Sequence, residues 1–489
     1  MAKVILVSPW VYHDVGRSDY NPEYEWRNGP YNIVLLATIL RKAGHEAIVI
    51  DLQRDLIVCR GDLELCLEKY KKAVSDFHPD MIGFSFFSIH HFEIKQLVEI
   101  TRQQCEKSGI RPMLIGGGIH ATIEPQDTIE NMGFDYAFVG EGDLAITKIA
   151  DGVLPETIPG MVGNGMLPPG CSSGRGQQIE NLDDLPFPDW TLCDYEFYSA
   201  PSYARLKVAK TRILDISSSR GCWYKCGFCA YNALSAVRFY SGEYLANQME
   251  QMHRDYGIDS VYFTDSTIGN NRKVLVSLCE NILKKGLQHR VKWLANIRPN
   301  QVTEEVLKLM QRAGCVYLFY GFESNSQKIL DAMDKGCRVE HNEKAARLHR
   351  KLGFIYNASF IVGYPGETEE DIQASLSFIR RHQPPSIGIN CYVPLPGSPD
   401  YDRLKASGVI KTDDPEEWRR VGEVNVKRHY CDIPKPRFDE LVREAQYLAY
   451  TKIPEENKQS GFWSITDKIS EGTRDLQESR ISLNRILNS

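Results

Sequence analysis

The chain has 489 residues, of which 42% are hydrophobic and 25% charged, and its formal net charge is -6. These proportions are typical of a globular protein, and the acidic balance argues against nucleic acid as a partner. No stretch reaches the ~18 apolar residues that a membrane span needs. The N-terminal run Met1–Val7 fits a first strand better than a secretory signal. We therefore expect a cytoplasmic protein of two or three domains.

Residues 1–150 alternate short apolar runs with amphipathic stretches. Such runs suit buried parallel strands, and the stretches between them suit crossover helices. We predict a doubly wound, Rossmann-like α/β sheet in this first domain. Its five expected strands are Val4–Ser8, Ala47–Asp51, Met81–Ser85, Pro112–Gly116 and Tyr136–Gly140.

Residues 151–205 are rich in Gly, Pro and Ser, as in Leu167–Gly170 and Leu185–Trp190. This composition predicts a crossing linker without a core of its own.

Strand and helix patterns alternate again over residues 206–395. Six strand–helix units are fewer than a full eightfold barrel needs, so we predict a partial (β/α)6 barrel of the TIM type. Residues 396–489 are predicted to form a helical C-terminal region, with its clearest helix at Arg437–Thr451. The six expected barrel strands are Ile213–Ser217, Ser260–Thr264, Val291–Ala295, Val316–Gly321, Ala358–Val362 and Ile387–Tyr392.

Three of the thirteen cysteines, Cys222, Cys226 and Cys229, follow the first barrel strand in a C-x3-C-x2-C pattern. Three thiolates can bind three irons of a [4Fe–4S] cluster and leave the fourth iron open. The open iron suits the amine and carboxylate of S-adenosylmethionine (SAM). A structural zinc site or a closed cluster would need a fourth ligand nearby, and the next cysteine is Cys279. Buried thiols with no metal are the remaining alternative.

This motif, with Phe228 before its last cysteine, resembles the signature of the radical SAM superfamily. The resemblance extends over residues 213–392 through segments at the strand ends, and Leu395–Pro399 fits the closing segment of one subfamily. Solvated loop carboxylates at Asp265 and Glu323, and a surface ion pair at Arg298, are the alternatives to ligand contacts. The resemblance implies SAM contacts at Phe228, Asp265, Asn296, Arg298, Glu323, Ser324 and Gly363.

Residues 1–190 resemble the cobalamin-binding domain that precedes many radical SAM barrels. Glycines at two strand ends let a flat ligand approach the backbone, although neither run is a G-x-G-x-x-G fingerprint. The cobalt-ligating histidine of methionine-synthase-like domains is absent from Asp51–Leu56, and many radical SAM relatives also lack it. The resemblance implies cobalamin contacts at Ser85, Gly116, Gly117, Gly140 and Glu141.

Other aromatic and histidine side chains follow the first and third strands. His90 and His91 could face a corrin, or they could be ordinary helix-start residues. The same two interpretations apply to Trp10, Tyr12 and His13.

The family resemblance implies reductive cleavage of SAM to a 5′-deoxyadenosyl radical, which abstracts hydrogen from a small-molecule or lipid-like substrate. Cobalamin-dependent C-methylation in a biosynthetic pathway is the expected outcome, with a flavodoxin or ferredoxin as electron donor. Cobalamin-free dehydration, rearrangement, cyclisation or C–C coupling are alternatives. A corrinoid-binding sensor is the alternative outside enzymes, and it would not need the three cysteines. A methylthiotransferase would carry a second three-cysteine set, which this chain lacks.

Overall fold

The computed structural model describes residues 1–10, 28–165, 176–200, 212–233, 236–410 and 429–451. Tyr12 and His13 lie outside these ranges. The first domain contains a six-stranded sheet in the order β2-β1-β3-β4-β5-β6. Its first five strands in chain order pair in parallel, and β6 pairs antiparallel with β5. The strands are β1 (Lys3–Ser8), β2 (Glu46–Asp51), β3 (Met81–Ser85), β4 (Met113–Gly117), β5 (Tyr136–Phe138) and β6 (Met161–Gly163).

Helices cover both faces of this sheet, because alternate strand residues are apolar on both sides. Ile5 and Val7 of β1 belong to one core, whereas Val4 and Leu6 belong to the other. The predicted doubly wound sheet is confirmed. The helices are α1 (Tyr31–Lys42), α2 (Leu52–Val58), α3 (Leu63–Phe77), α4 (His91–Ser108), α5 (Ile119–Ile123), α6 (Pro125–Glu130) and α7 (Ala145–Ala150).

The segment 151–205 does more than connect two domains. It contributes β6 to the first sheet and helix α8 (Tyr195–Ser199). Trp190 and Tyr198 are fully buried in the same core as the barrel strands. The described part of this segment thus forms no separate core, and its few large side chains pack into the core shared with the barrel.

The second domain is an open parallel sheet of six strands in the order β14-β13-β12-β11-β10-β7. All six predicted barrel strands are present, so the partial barrel is confirmed. A short antiparallel pair, β8 with β9, flanks the cysteine segment. The strands are β7 (Ile213–Ile216), β8 (Ser219–Arg220), β9 (Arg238–Phe239), β10 (Ser260–Phe263), β11 (Lys292–Ile297), β12 (Cys315–Glu323), β13 (Ile355–Val362) and β14 (Ser386–Cys391).

The barrel helices bury apolar faces against these strands. Trp293 of β11 is fully buried, and its indole N–H donates to Ala313 O at 2.8 Å, so burial does not cost it a hydrogen bond. The helices are α9 (Gly242–Tyr256), α10 (Arg272–Lys284), α11 (Glu304–Arg312), α12 (Gln327–Ala332), α13 (Val339–Leu352) and α14 (Glu369–His382).

Two further helices, α15 (Pro399–Ala406) and α16 (Lys435–Thr451), belong to the region predicted as helical. α16 packs on α14 and β14 and so extends the barrel wall. Residues 411–428 and 452–489 of this region lie outside the described ranges. Within the described ranges, no helix combines the length and the apolar character needed to cross a membrane.

Candidate active site

The three clustered cysteines lie at the carboxyl edge of the barrel, where its parallel strands end. Cys222, Cys226 and Cys229 all line one cavity of about 360 Å³. Three cysteine sulfurs that line one cavity are a donor set that fits three irons of a [4Fe–4S] cluster.

Gly227 lets the cysteine loop pass close to distant parts of the barrel. Its N–H donates to Met333 O at 2.7 Å, and its C=O accepts from Asp400 N at 2.9 Å. A Cβ at this position would lie 2.5 Å from the Asp400 carboxylate. Only glycine fits here, and the loop conformation is held by residues far along the chain.

Asp265 follows β10 and is buried beneath the cysteine loop. Its carboxylate accepts from Ser218 N at 2.8 Å and from Ser219 Oγ at 2.7 Å. Burial raises the pKa of Asp265, and these hydrogen bonds oppose the shift. Asp265 does not line the cavity, so in this geometry it holds β8 in place and supports the loop from outside.

Arg298 follows β11 and its guanidinium faces sulfur. Nη1 donates to Cys226 Sγ at 3.3 Å, and Nη2 lies 3.6 Å from Cys337 Sγ and also donates to Lys335 O. The guanidinium lies over the Tyr224 ring at 3.5 Å. The surface ion pair considered from sequence is wrong, because Arg298 is only 6% exposed.

Glu323 and Lys335 form an ion pair inside the cavity wall. Lys335 Nζ lies 2.6 Å from Glu323 Oε1, with side-chain exposures of 5% and 10%. The interpretation of Glu323 as a solvated carboxylate is therefore wrong. Glu323 has a φ of +61° at an irregularity of β12, a conformation that costs roughly 1–3 kcal/mol and occurs often at functional sites. Lys335 was not predicted, since a lysine in a loop has no local signal.

Besides Asp265, two more of the predicted SAM contacts do not line this cavity. Ser324 is fully buried, and its Oγ accepts from Ser326 N at 3.1 Å. Gly363 has a φ of +84° and donates its N–H to Glu367 at 2.6 Å. Both residues shape the strand ends. Of the seven predicted contacts, the cavity brings together Phe228, Asn296, Arg298 and Glu323.

The carboxyl edge of the first sheet is built from glycines. A Cβ on Gly116 would lie 2.5 Å from Thr128 Cγ2, so Gly116 is packed against α6. Gly117 has only Phe84 O nearby, at 3.5 Å, and is open to a close approach. Gly118 has a φ of +90°, and a Cβ there would lie 2.7 Å from the backbone N and O of Phe86. At Gly118, the backbone of this edge lies in close contact with the backbone of Phe86.

The histidines at this edge are bound to neighbouring protein groups. His91 Nε2 and His120 Nε2 lie 2.8 and 2.9 Å from the same oxygen of Asp127, and His120 Nδ1 lies 3.0 Å from Ser88 Oγ. Although burial raises the pKa of Asp127, these hydrogen bonds hold it well below its usual range. His90 Nδ1 accepts from Phe87 N at 3.2 Å, which is a helix-start contact.

The loop after β5 is tied to the barrel by ion pairs. Glu141 lies 2.8 Å from Arg220 Nη1 and also pairs with Arg238, and Asp143 lies 2.5 Å from Arg220. Arg220 lies two residues before Cys222. Glu141, predicted to contact cobalamin, is thus engaged with two arginines, and these long-range pairs have no sequence signal.

The carboxyl edges of the two sheets meet. Ile123, at the end of α5, packs against Gly397. A Cβ on Gly397 would lie 2.4 Å from Ile123 Cδ1. α5 also contacts the turn Ala230–Ala233, directly after the cysteine loop. Together with the ion pairs of Arg220, these contacts place the glycine-built edge of the first sheet next to the cysteine-lined cavity of the barrel.

Comparison with known proteins gives two family matches. The model of the Radical SAM superfamily matches residues 216–379, and that of the B12 binding domain matches residues 24–150. A protein described as an uncharacterized methyltransferase from Pyrococcus horikoshii is 24% identical, over 86% of this chain and 88% of its own length. Cytidylyl-2-hydroxyethylphosphonate methyltransferase of Streptomyces wedmorensis is 23% identical, over 85% and 83%. Anaerobic magnesium-protoporphyrin IX monomethyl ester cyclase of Cereibacter sphaeroides is 24% identical, over 77% and 60%.

Two solved structures share the fold. TsrM from Kitasatospora setae, a radical S-adenosylmethionine methyltransferase with cobalamin and a [4Fe–4S] cluster bound, aligns with a TM-score of 0.65 at 20% identity. That alignment covers 85% of this chain and 80% of TsrM. OxsB with aqua-cobalamin and S-adenosylmethionine bound aligns with a TM-score of 0.60 at 18% identity, over 88% of this chain and 58% of its own.

Proposed function

The chain belongs to the radical SAM superfamily and carries an N-terminal cobalamin-binding-type domain, and on this premise we propose that it is a cobalamin-dependent methyltransferase. The substrate is a small or lipid-like molecule that is methylated at an unactivated carbon. The meeting of the two carboxyl edges carries this proposal. In this proposal, the reaction takes place in the space between the cysteine-lined cavity of the barrel and the glycine-built edge of the first sheet.

The barrel residues fit an iron–sulfur cluster and SAM. Cys222, Cys226 and Cys229 are the three thiolate ligands, and the cavity beside them has room for a small ligand. When bound, the cluster with SAM supplies a 5′-deoxyadenosyl radical and the corrinoid supplies a methyl group. Phe228 and Asn296 offer an aromatic face and an amide at the cavity wall. The Glu323–Lys335 pair offers a carboxylate and an ammonium group, which complement the amine and the carboxylate of a zwitterionic ligand.

The remaining predicted SAM residues support this site from behind. Asp265 positions the strand that leads into the cysteine loop, whereas Ser324 and Gly363 shape the ends of β12 and β13. The chain's own work is therefore to hold the ligands in place and to exclude water from the cavity.

The residues at the first edge fit a flat ligand in part. Gly117 permits close approach, and Ser85 and Gly140 are only half-buried beside it. Gly116 and Glu141 contribute by packing and by ion pairing, not by an open face. The methylation outcome, cytoplasmic location and a flavodoxin or ferredoxin as electron donor complete the proposal.

Anaerobic reconstitution of the full chain tests the proposal. We expect a chain loaded with iron and sulfide to release 5′-deoxyadenosine from SAM with dithionite, and to bind about one corrinoid when given hydroxocobalamin. The C222A/C226A/C229A variant should lose iron and SAM cleavage, while C193A serves as the matched control for removal of a thiol.

Two results would contradict the proposal at different levels. Normal iron content and SAM cleavage in the triple variant would remove the cluster assignment. SAM cleavage without bound corrinoid would replace methylation by a cobalamin-free radical rearrangement or cyclisation.

A further inference from the structure

Arg298 is a buried cation at the wall of the cysteine-lined cavity. It follows β11, and its guanidinium lies between the sulfur atoms of Cys226, at 3.3 Å, and Cys337, at 3.6 Å. Charge-assisted hydrogen bonds to a thiolate are stronger than those between neutral groups. The geometry therefore puts a full positive charge next to one of the three proposed iron ligands.

Among the residues that the structure describes, no carboxylate balances this charge. In the described part of the chain, no Asp or Glu oxygen lies within 4.0 Å of Arg298, whose Nε has no hydrogen-bond partner there. The other cations near the site differ: Lys335 pairs with Glu323, and Arg220 pairs with Glu141 and Asp143. Burying an unpaired charge is unfavourable. Within the described part of the chain, the sulfur ligands and what they bind are the groups placed to supply the counter-charge.

The cation is also fixed in position. Its plane stacks on the Tyr224 ring at 3.5 Å, and its backbone N–H donates to Gln301 Oε1 at 3.2 Å. Gln301 Nε2 in turn donates to the Tyr224 hydroxyl at 3.3 Å. A guanidinium clamped in this way cannot turn toward solvent when the charge next to it changes.

We propose that Arg298 raises the reduction potential of the iron–sulfur cluster, and thereby eases the one-electron reduction that SAM cleavage needs. This inference rests on the proposed function. The cluster gains one electron from an external reductant, no bond forms or breaks in this step, and the added negative charge is stabilised by the fixed cation. Hydrogen bonds to sulfur, net charge and solvent exposure are the factors that set such potentials.

A redox titration of the reconstituted protein, followed by EPR of the reduced cluster and without SAM, tests the proposal. We expect R298Q to favour the oxidised state at least tenfold over wild type, a negative shift of the midpoint by 59 mV for one electron. Y224L, which removes the stacking surface but keeps the charge, should shift the midpoint in the same direction by less. K225Q removes a charge from an exposed position of the same loop and should leave the midpoint unchanged, since solvent screens it.

Iron and sulfide content measured on each sample separates the possible outcomes. An R298Q protein with full iron and a wild-type midpoint would overturn the role of Arg298. If R298Q does not retain the cluster, an unshifted midpoint in Y224L would overturn it equally. A wild-type protein that holds no cluster after reconstitution would instead contradict the proposed function on which this inference rests.

Discussion

The two sheets end in edges of opposite character. At the barrel edge, side chains line a cavity that contains the three cysteines, a buried ion pair belongs to its wall, and a buried arginine lies 3.3 Å from Cys226 Sγ. At the edge of the first sheet, backbone glycines and an exposed Phe87, 51% accessible, form the surface, while His91 and His120 are bound to Asp127. In the proposed function, the barrel edge holds a ligand through side-chain atoms and the first edge holds one through its shape.

This difference determines which substitutions should matter at each edge. Removing a charge should be severe at the barrel edge, because its partner is left buried in a medium of low dielectric. Adding a methyl group should disturb the glycine-built edge at Gly118, because backbone atoms of Phe86 leave no space for it there. The expected effects below follow from this contrast.

We expect the largest effect from K335M at the barrel edge. Loss of the ammonium group leaves the Glu323 carboxylate buried without its partner, which costs roughly 3–5 kcal/mol. Urea unfolding should show the loss, and equilibrium dialysis should show weaker SAM binding at equal iron content. The E323Q/K335M double variant should recover part of the stability.

A matched control for K335M is K351M, whose pair with Glu304 is largely exposed. Its effect should stay below about 1 kcal/mol, as for other surface pairs. Equal destabilisation by the two variants would show that the barrel edge is no more sensitive to charge than the surface.

The second-largest effect is expected from R220M, which removes the link between the two edges. Glu141 keeps Arg238 as a partner, but Asp143 loses its only ion pair among the described residues. We expect the free energy of unfolding to fall by about 2 kcal/mol. This is the low end for a pair across an interface, because Arg220 is partly exposed. Hydrogen exchange should increase at residues 140–143 and 219–222 together.

R254M provides the comparison for R220M, since Arg254 is 68% exposed and pairs with its neighbour Asp255. Protection should be unchanged in R254M. Faster exchange in R220M confined to one of the two segments would mean that the edges are not coupled through this arginine.

A smaller effect is expected from G118A at the glycine-built edge. The alanine would be held at a φ of +90° with its Cβ against Phe86. This strain should lower the free energy of unfolding by roughly 1–3 kcal/mol. Thermal unfolding should report this loss, and corrinoid binding should weaken while iron content stays normal. In G117A the new Cβ meets only Phe84 O at 3.5 Å, so this variant should fold normally. Normal corrinoid binding in both would argue against a ligand at this edge.

The smallest effect on stability at pH 5 is expected from E367Q. This variant tests the burial of a carboxyl group at the barrel edge that has no proposed role in ligand binding. Burial raises the pKa of Glu367 to about 8, although its carboxylate accepts from Gly363 N and Tyr364 N. A raised pKa in the folded state contributes stability below the unfolded value near 4.5, and this contribution is lost as the pH rises to 8. E367Q should therefore unfold at nearly the wild-type temperature at pH 5 and at a higher temperature at pH 9. The same difference at both pH values would contradict a raised pKa.

Sequence patterns predicted the strands of both sheets well, because each buried strand carries a continuous apolar run, as in Val4–Val7. The cysteine loop was equally visible, since its three ligands are local in sequence. The buried role of Trp190 was missed because the prolines before it, Pro186 and Pro188, suggest only a loop. Lys335 and the pairs of Arg220 were missed because their partners lie 12 and 77 or more residues away, and a charged residue carries no sign of such a partner.

The contacts of Gly227 with Met333 and Asp400 have a consequence for the order of assembly. The loop between the second and third cysteines receives its hydrogen bonds from chain that is synthesised more than a hundred residues later. A nascent or truncated chain that ends before α15 has all three thiols but lacks the wall against which they are set. We therefore expect iron to be inserted stably only after α15 has docked, which makes cofactor loading a late maturation step.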